Sequence, residues 1–525
     1  MPTKRQMFRS SMVVGFFSLL GGLTGILVDT SIAAQLGLSR SSDTFYVAIT
    51  VPYIITNLLS ATGQFSLVPF FAALDARHSA QELWRGFSYA VSILFLGLSG
   101  IAVLGAVGTP WLMRGIAPGL TPQQTDLATQ LGRWLLIIII PAGVSEVFRS
   151  FLLSQRHFAL PSAAGFIRNA TVIACIILAF PRYREFSIVL GYFAGYLLQF
   201  TILGGQILGS FPARYSLTLA GSGEAFRNLR GAGTVQLGSA LAWQGVVVVE
   251  RIIASFLPPG TLTALNWGFK IMSTLAELLA GSVGTVALPA LAKAVARQAK
   301  AEERKTFRDM LEIGLALVCP AMVFCLVLDR HIIRLVFERG NFTPEATALM
   351  STVFFYYSLS LLLFSFIRLL TFYLFARNEA GVFLRLCLLL YGTNVAFDLL
   401  YVGALRIGAI GIPLGLVTSL ALTCGLAFHR NLAELKLAFD RSVAVFALKS
   451  LLGAGLAAGA VWGLRRWLAP PSTGLGNFAF LCAVCGAGSL IFFATLAATR
   501  AIPLSQLAAT LRRPEAAGGG DSSSS

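Results

Sequence analysis

Apolar runs of about 20 residues recur along the whole chain, and a helix of that length crosses a hydrocarbon core of roughly 30 Å. Period-2 alternation in ten-residue pieces, the pattern of a membrane β-barrel, is absent. Backbone groups in lipid find no water, so segments of this kind must satisfy their hydrogen bonds internally, as helices. The predicted spans are 11–36, 44–75, 86–110, 127–153, 158–180, 187–209, 234–256, 265–291, 309–328, 347–376, 380–403, 408–428, 444–468 and 475–498, fourteen in all. Composition agrees: 12% of the residues are charged, against about 25% in soluble domains. An ordinary soluble enzyme is excluded, and an all-α polytopic membrane protein is expected.

The net charge of +17 would suit nucleic acid, but the basic residues lie in short connections between spans, as a topology signal does. They concentrate on the side of the N-terminus, most densely in Lys293–Arg308, and an even number of spans places both termini on that cytoplasmic side. The run from Met12 to Leu36 exceeds a signal-peptide core and contains Asp29, which predicts a retained first span. All seven cysteines fall in apolar segments. Cys482 and Cys485 form a C-x-x-C without a nearby His or second pair, so neither a disulfide framework nor a metal site is expected.

The spans divide the chain into an N-terminal six-helix lobe (1–209), a cytoplasmic linker (210–233), a C-terminal six-helix lobe (234–428), two additional helices (429–498) and a disordered tail (499–525) that ends in PEAAGGGDSSSS. Two six-span halves imply a repeat-built transporter with its site near the midplane between them. The segment 329–343 is amphipathic, with Ile332, Ile333, Leu335, Val336 and Phe337 opposed to Arg330, Arg334 and Arg339, and reads as an interfacial helix. Gly455, Gly459 and Gly463 at four-residue spacing predict a close-packing seam.

No Walker loop, H-E-x-x-H, G-x-S-x-G or strand-flanked G-x-G-x-x-G occurs. With no enzyme motif and no cofactor site, transport would be driven by an ion gradient, the membrane potential or consumption of the cargo. The informative residues are charges inside spans, each marking a pathway, a proton relay or an ion pair. Asp29 lies beside Gly21, Gly22 and Gly25. Glu146 and Arg149 are three apart and can pair on one helix face. Arg168, Asn169 and Arg368 are further polar points, and Asn394 and Asp398 share a face. Val246–Pro289 holds Glu250, Arg251, Lys270 and Glu277. Glu250 and Arg251 point about 100° apart, whereas Lys270 and Glu277 share an azimuth about 10 Å apart along the axis. Lys270 is thus a candidate ligand contact, and Asp29, Asp398 and Glu277 are candidate ion relays.

The segments GILVDTSIAAQLGLSRSSDTFYVA, FSLVPFF, IAPGLTP, RHFALPSAAGFIRN, VERIIASFLPPGTLTALNWGFK, GTVALPALAK, VFERGNFT and NVAFDLLYVGALRIGAIGIPLGLVTSLA resemble, in that order, the MurJ/MviN family. That family belongs to the superfamily of multidrug, oligosaccharidyl-lipid and polysaccharide exporters, and the likeness runs from about residue 10 to 430. The resemblance implies fourteen helices, with two lobes around a cationic cavity and the last two helices bordering a groove for a lipid tail. It implies flipping of lipid II, an undecaprenyl-diphosphate-linked peptidoglycan precursor, across the bacterial inner membrane by alternating access. Lys or Arg in a cavity suits a diphosphate. The family's arginines in the first two helices are matched by Gly22, Val28, Thr56 and Asn57, and the arginine of the eighth helix by Lys270. Asp29 and Asp43 match family acids, and Arg251 matches an arginine of one branch. The resemblance implies Lys270, Arg251, Asp29 and Asp43 as contacts for a polyprenyl-diphosphate-linked glycan; Arg368, a charge inside the tenth span, joins them as a candidate contact, and sodium or protons are the candidate coupling ions. Three other readings stay open: a flippase for another oligosaccharide-lipid of the exopolysaccharide or O-antigen type, a proton- or sodium-coupled multidrug-type exporter relaying through Asp29 or Asp398, and a non-transporting scaffold of envelope assembly.

Overall fold

The computed structural model describes residues 4–77, 79–212, 215–219, 234–430, 441–467 and 474–500. Most of the predicted linker, residues 431–440 and the tail beyond 500 lie outside the described residues. Among the described residues there is no strand. The helices of the first half are α1 (Lys4–Leu36), α2 (Arg40–Ala48), α3 (Thr50–Thr62), α4 (Val68–Arg77), α5 (Ala80–Ile116), α6 (Pro122–Ile137), α7 (Ile139–Ser154), α8 (Ala159–Tyr183) and α9 (Phe186–Ser210). The second half contributes α10 (Thr234–Ala254), α11 (Thr261–Ala276), α12 (Ser282–Ala296), α13 (Lys300–Val327), α14 (Asp329–Phe337), α15 (Pro344–Leu359), α16 (Leu361–Ala376), α17 (Ala380–Asp398) and α18 (Gly411–Arg430). Two more, α19 (Arg441–Trp467) and α20 (Gly474–Ala498), follow.

Eleven helices are long and apolar enough to span a membrane, and two bent pairs, α2–α3 and α15–α16, raise the number to 13 if each is one span. The count among the described residues is therefore 11 to 13. Predicted span 234–256 coincides with α10, which carries Glu250 and Arg251.

The breaks have local causes. A proline lacks an N–H, and its ring collides with the carbonyl four residues back. Pro52 accordingly ends α2 at Ala48, with a 44° bend, and Pro141 ends α6 at Ile137. The 47° bend between α15 and α16 has no proline. There Ser358 Oγ donates to the Phe354 carbonyl at 2.7 Å and Ser360 Oγ to the Tyr357 carbonyl at 2.6 Å, and such back-bonding bends helices. A π-turn at Glu277–Gly281 joins α11 to α12, and another at Leu399–Ala404 follows Asp398.

Within the first half α8 packs on α1 and α9, and α7 on α5 and α9; within the second, α17 packs on α10 and α18, and α13 on α12 and α16. Helices α19 and α20 pair with each other and lie on α13. Lipid is as apolar as leucine, so close packing rather than water exclusion holds such helices together. The predicted glycine seam is displaced: Gly455, Gly459 and Gly463 face open space, and α19 packs through Ala454, Ala457 and Gly453, the last against Phe492. Spacing alone allows either face, and the residues flanking the glycines supply the contact.

The amphipathic segment forms α14 but stops at Phe337, and its apolar face is buried in protein rather than in the lipid boundary. Ile333 and Phe337 are buried, and the Phe337 ring stacks on Trp267 at 5.0 Å. Beyond it Gly340, at φ +61°, brings the chain against the end of α1, where a Cβ would collide with the Ala34 carbonyl.

Candidate functional site

The halves meet at the end of the bundle where α1 terminates, here called the distal end. The last carbonyls of α1 lack partners within the helix. Asn341 supplies them, its N–H donating to Ala34 at 2.8 Å and its Nδ2 to Gln35 at 2.6 Å. The first N–H groups of α11 are satisfied from the other half: Asp43 of α2 accepts from Gly260 N at 2.6 Å, Thr263 N at 2.8 Å and Thr263 Oγ1 at 2.7 Å. The Gly119 N–H donates to Ser255 Oγ at 3.0 Å. Asp43 is buried in this cap, and the structure commits both its oxygens to it.

Deeper in the bundle Asp29 Oδ2 lies 2.5 Å from Lys270 Nζ, which also donates to the Gly25 carbonyl at 2.9 Å. Asp29 Oδ1 accepts from the Tyr46 hydroxyl at 2.7 Å, and the Tyr46 hydroxyl oxygen accepts from Trp267 Nε1 at 2.6 Å. A polar chain thus runs from α11 to α2 to α1 and back to α11. Asp29 is buried, while Lys270 keeps 39% of its side chain exposed. An ammonium has three N–H groups, and two are used here, so one remains for a ligand.

On the side of this layer away from the distal end lies a cavity of about 760 Å³. Tyr53 and Asn57 of α3, Trp243 and Gln244 of α10, and Phe269 and Ser273 of α11 line it, with walls from α16, α17 and α18. Glu277 and Arg368 both face it and form an ion pair, Arg368 Nη2 donating to Glu277 Oε1 at 2.9 Å with Nε 2.7 Å from Oε2. Glu277 sits at the start of a π-turn, a distortion frequent at functional sites. Glu250 and Arg251 line a small neighbouring pocket that shares Tyr53, Trp243 and Phe269 with the cavity. Although 100° apart on α10, both reach this pocket, and Arg251 Nε has no hydrogen-bond partner among the described residues.

Asn394 and Asp398 form a third locus. Asn394 Nδ2 donates to Asp398 Oδ1 at 3.3 Å, while Asp398 Oδ2 and Asn394 Oδ1 are buried without partners among the described residues. Asp398 packs against Gly415 of α18, where a Cβ would occupy the place of its carboxylate. In the first half Arg149 Nη1 donates to Glu146 Oε2 at 3.2 Å, the pair expected from their spacing. Among the described residues no cluster of His, Cys, Asp and Glu is arranged to hold a metal ion.

The structure therefore joins Asp29 to Lys270 and Glu277 to Arg368, brings Arg251 to the cavity's edge, and separates Asp43 and Asp398 from both pairs. Sequence reasoning passed over Tyr46, Trp267, Tyr53 and Trp243. Their signal was present, since aromatic rings with a polar tip inside apolar spans need a partner for that tip.

The family profile described as "Lipid II flippase MurJ" matches residues 32–479 of this chain. The chain belongs to the lipid II flippase MurJ family. A probable lipid II flippase MurJ of Thermotoga maritima is 26% identical over 437 residues, covering 83% of this chain and 86% of the relative. The solved structure titled "Lipid II flippase MurJ, inward closed conformation" superposes with a TM-score of 0.75 at 20% identity, covering 93% of this chain and 99% of that one. A multidrug resistance MATE family transporter in an inward-facing conformation gives a TM-score of 0.68 at 13% identity, covering 82% of this chain and 99% of its own. The fold is thus the one shared by MurJ and MATE transporters, with more of this chain accounted for by the MurJ structure.

Proposed function

We propose that this member of the MurJ family is a transporter, not an enzyme, and that it flips lipid II across the bacterial inner membrane by alternating access. The observation that carries the reading is the central cavity: it bears Arg368, Glu277 and the edge of the Arg251 pocket, and it lies on one side of a layer of hydrogen bonds that joins the two halves. Residues 1–209 and 234–428 act as the two rocking bodies, and 429–498 border the lipid tail. Both termini are cytoplasmic, so the cavity faces the cytoplasm and receives the headgroup there. Lys270, with one N–H free of protein partners, takes a phosphate oxygen, and the additional negative charge of a diphosphate competes with Asp29 for it. Arg251 and Arg368 supply further positive charge from the cavity side, and Asp43 contributes by holding the distal cap.

Coupling to sodium or protons is supported by Asp398 Oδ2 and Asn394 Oδ1, which are buried without donors among the described residues: both could ligate a cation, and the carboxylate could take a proton; Asp29 and Glu277 are the alternative relays. A multidrug-type exporter fits less of the chain. Complementation tests the reading. Expression should rescue cells depleted of their own lipid II flippase, and failure of a well-expressed, membrane-inserted protein would remove lipid II as the cargo.

A further inference from the structure

Inside the first half, Arg168 of α8 is a partly buried cation within a span. Arg149 is paired with Glu146. Among the described residues Arg168 has only neutral partners: Nε and Nη2 donate to Asn169 Oδ1 at 3.4 and 3.3 Å, Nη1 donates to Gln199 Oε1 at 3.5 Å, and the guanidinium lies 4.8 Å from the Tyr196 ring centre. Hydrogen bonds from a charged donor to an anion are typically 2.7–2.9 Å, so these long contacts to amide oxygens leave the cation weakly neutralised. A cation inside a span is costly unless it has a function or a counter-charge. Room is provided for it, because Gly195 of α9 lies under the Arg168 side chain, with a built Cβ 3.0 Å from its Cγ.

The position of Arg168 is informative as well. Its acceptor Asn169 donates through Nδ2 to the Gly21 carbonyl at 3.2 Å and to Thr24 Oγ1 at 3.3 Å, which fixes the amide on α1. A Cβ built on Gly25 would lie 3.7 Å from Asn169 Nδ2 and 4.0 Å from Lys270 Nζ. The Asn169 amide and the Lys270 ammonium therefore flank the same glycine. One half thus brings a guanidinium, and the other an ammonium, to the two sides of a bare stretch of α1.

We propose that Arg168 is the first half's phosphate-binding residue, acting with Lys270 of the second half to hold the diphosphate of the transported lipid. This rests on the flippase reading above. On binding, the guanidinium N–H groups leave the Asn169 and Gln199 oxygens for phosphate oxygens, which they bind as a fork. One cation in each half also makes the ligand itself the link between the two moving bodies.

The test uses the full-length purified protein in detergent, with undecaprenyl diphosphate and undecaprenyl phosphate as probes and native mass spectrometry as the readout. The parent should prefer the diphosphate. Arg168→Gln should lower diphosphate affinity roughly tenfold while changing monophosphate affinity little, because one phosphate can still be held by Lys270. Should that variant fail to fold, Arg168→Lys decides: loss of the fork should lower the diphosphate preference about threefold, and an unchanged preference overturns the proposal. If Arg168→Gln binds both probes as the parent does while Lys270→Gln is weakened, Arg168 is not a ligand and the flippase reading stands. If the parent binds neither probe and does not rescue flippase-depleted cells, the flippase reading falls and the proposal falls with it.

Discussion

Two carboxylate–cation pairs share one span seven residues apart, and they differ in almost everything but chemistry. Asp29–Lys270 joins α1 to α11 across the two halves, with Asp29 buried and also held by Tyr46. Glu277–Arg368 stays within the second half at the cavity surface, with Glu277 56% and Arg368 39% exposed. Removing one partner of a buried pair strands a charge, whereas an exposed pair contributes little net energy because water screens it. The first pair therefore acts as a clamp between halves, and the second as an adjustable part of the wall.

The largest effect is expected at the clamp. Lys270→Ala leaves Asp29 buried without its cation; about 3 kcal/mol of destabilisation is expected, the low end for such pairs because Lys270 is partly solvated. Thermal unfolding in detergent reads this, and complementation should be lost. Adding Asp29→Asn should restore most of the stability but not complementation. Equal instability of the single and double variants would show that Asp29 is not stranded by the loss of Lys270.

Next comes the distal cap. Asp43→Ala removes three hydrogen bonds at the start of α11 and should cost about 2 kcal/mol, the upper range for a helix cap. It should also raise the accessibility of a cysteine placed at Ser255 to a membrane-impermeant maleimide; unchanged labelling would mean that the cap does not hold this end shut. Gly340→Ala follows, with a loss of about 1 kcal/mol or more, because the side chain meets the Ala34 carbonyl at an unfavourable positive φ.

The smallest stability change belongs to the wall. Glu277→Gln should alter the melting temperature little, since the pair is worth about 0–1 kcal/mol. It should raise affinity for undecaprenyl diphosphate by releasing Arg368. A large loss of stability here would erase the contrast between the two pairs.

Much of this architecture was legible in the chain. Apolar run lengths gave the helices, and the breaks the structure shows near Pro52 and Pro141 have a cause that lies within the chain itself, since a missing N–H is a local fact. The bend at Ser360 was not legible, because a serine hydroxyl bonds its own helix's carbonyl only in some contexts. Local spacing predicted Glu146–Arg149 and Asn394–Asp398, whose members lie within one turn of each other. Asp29 and Lys270, and Asp43 and Thr263, meet only after the halves pack, so their pairing was hidden although every residue was in view. Predicted span 234–256, too, was legible from apolar length alone, and α10 (Thr234–Ala254) coincides with it.

The cap on α11 borrows its carboxylate from α2, so no movement that parts the distal end can leave that helix complete. Each opening would present three bare donors on one wall and an unsatisfied carboxylate on the other, and water must enter to serve both. Whatever part of those three hydrogen bonds water fails to replace would favour closing the slot again.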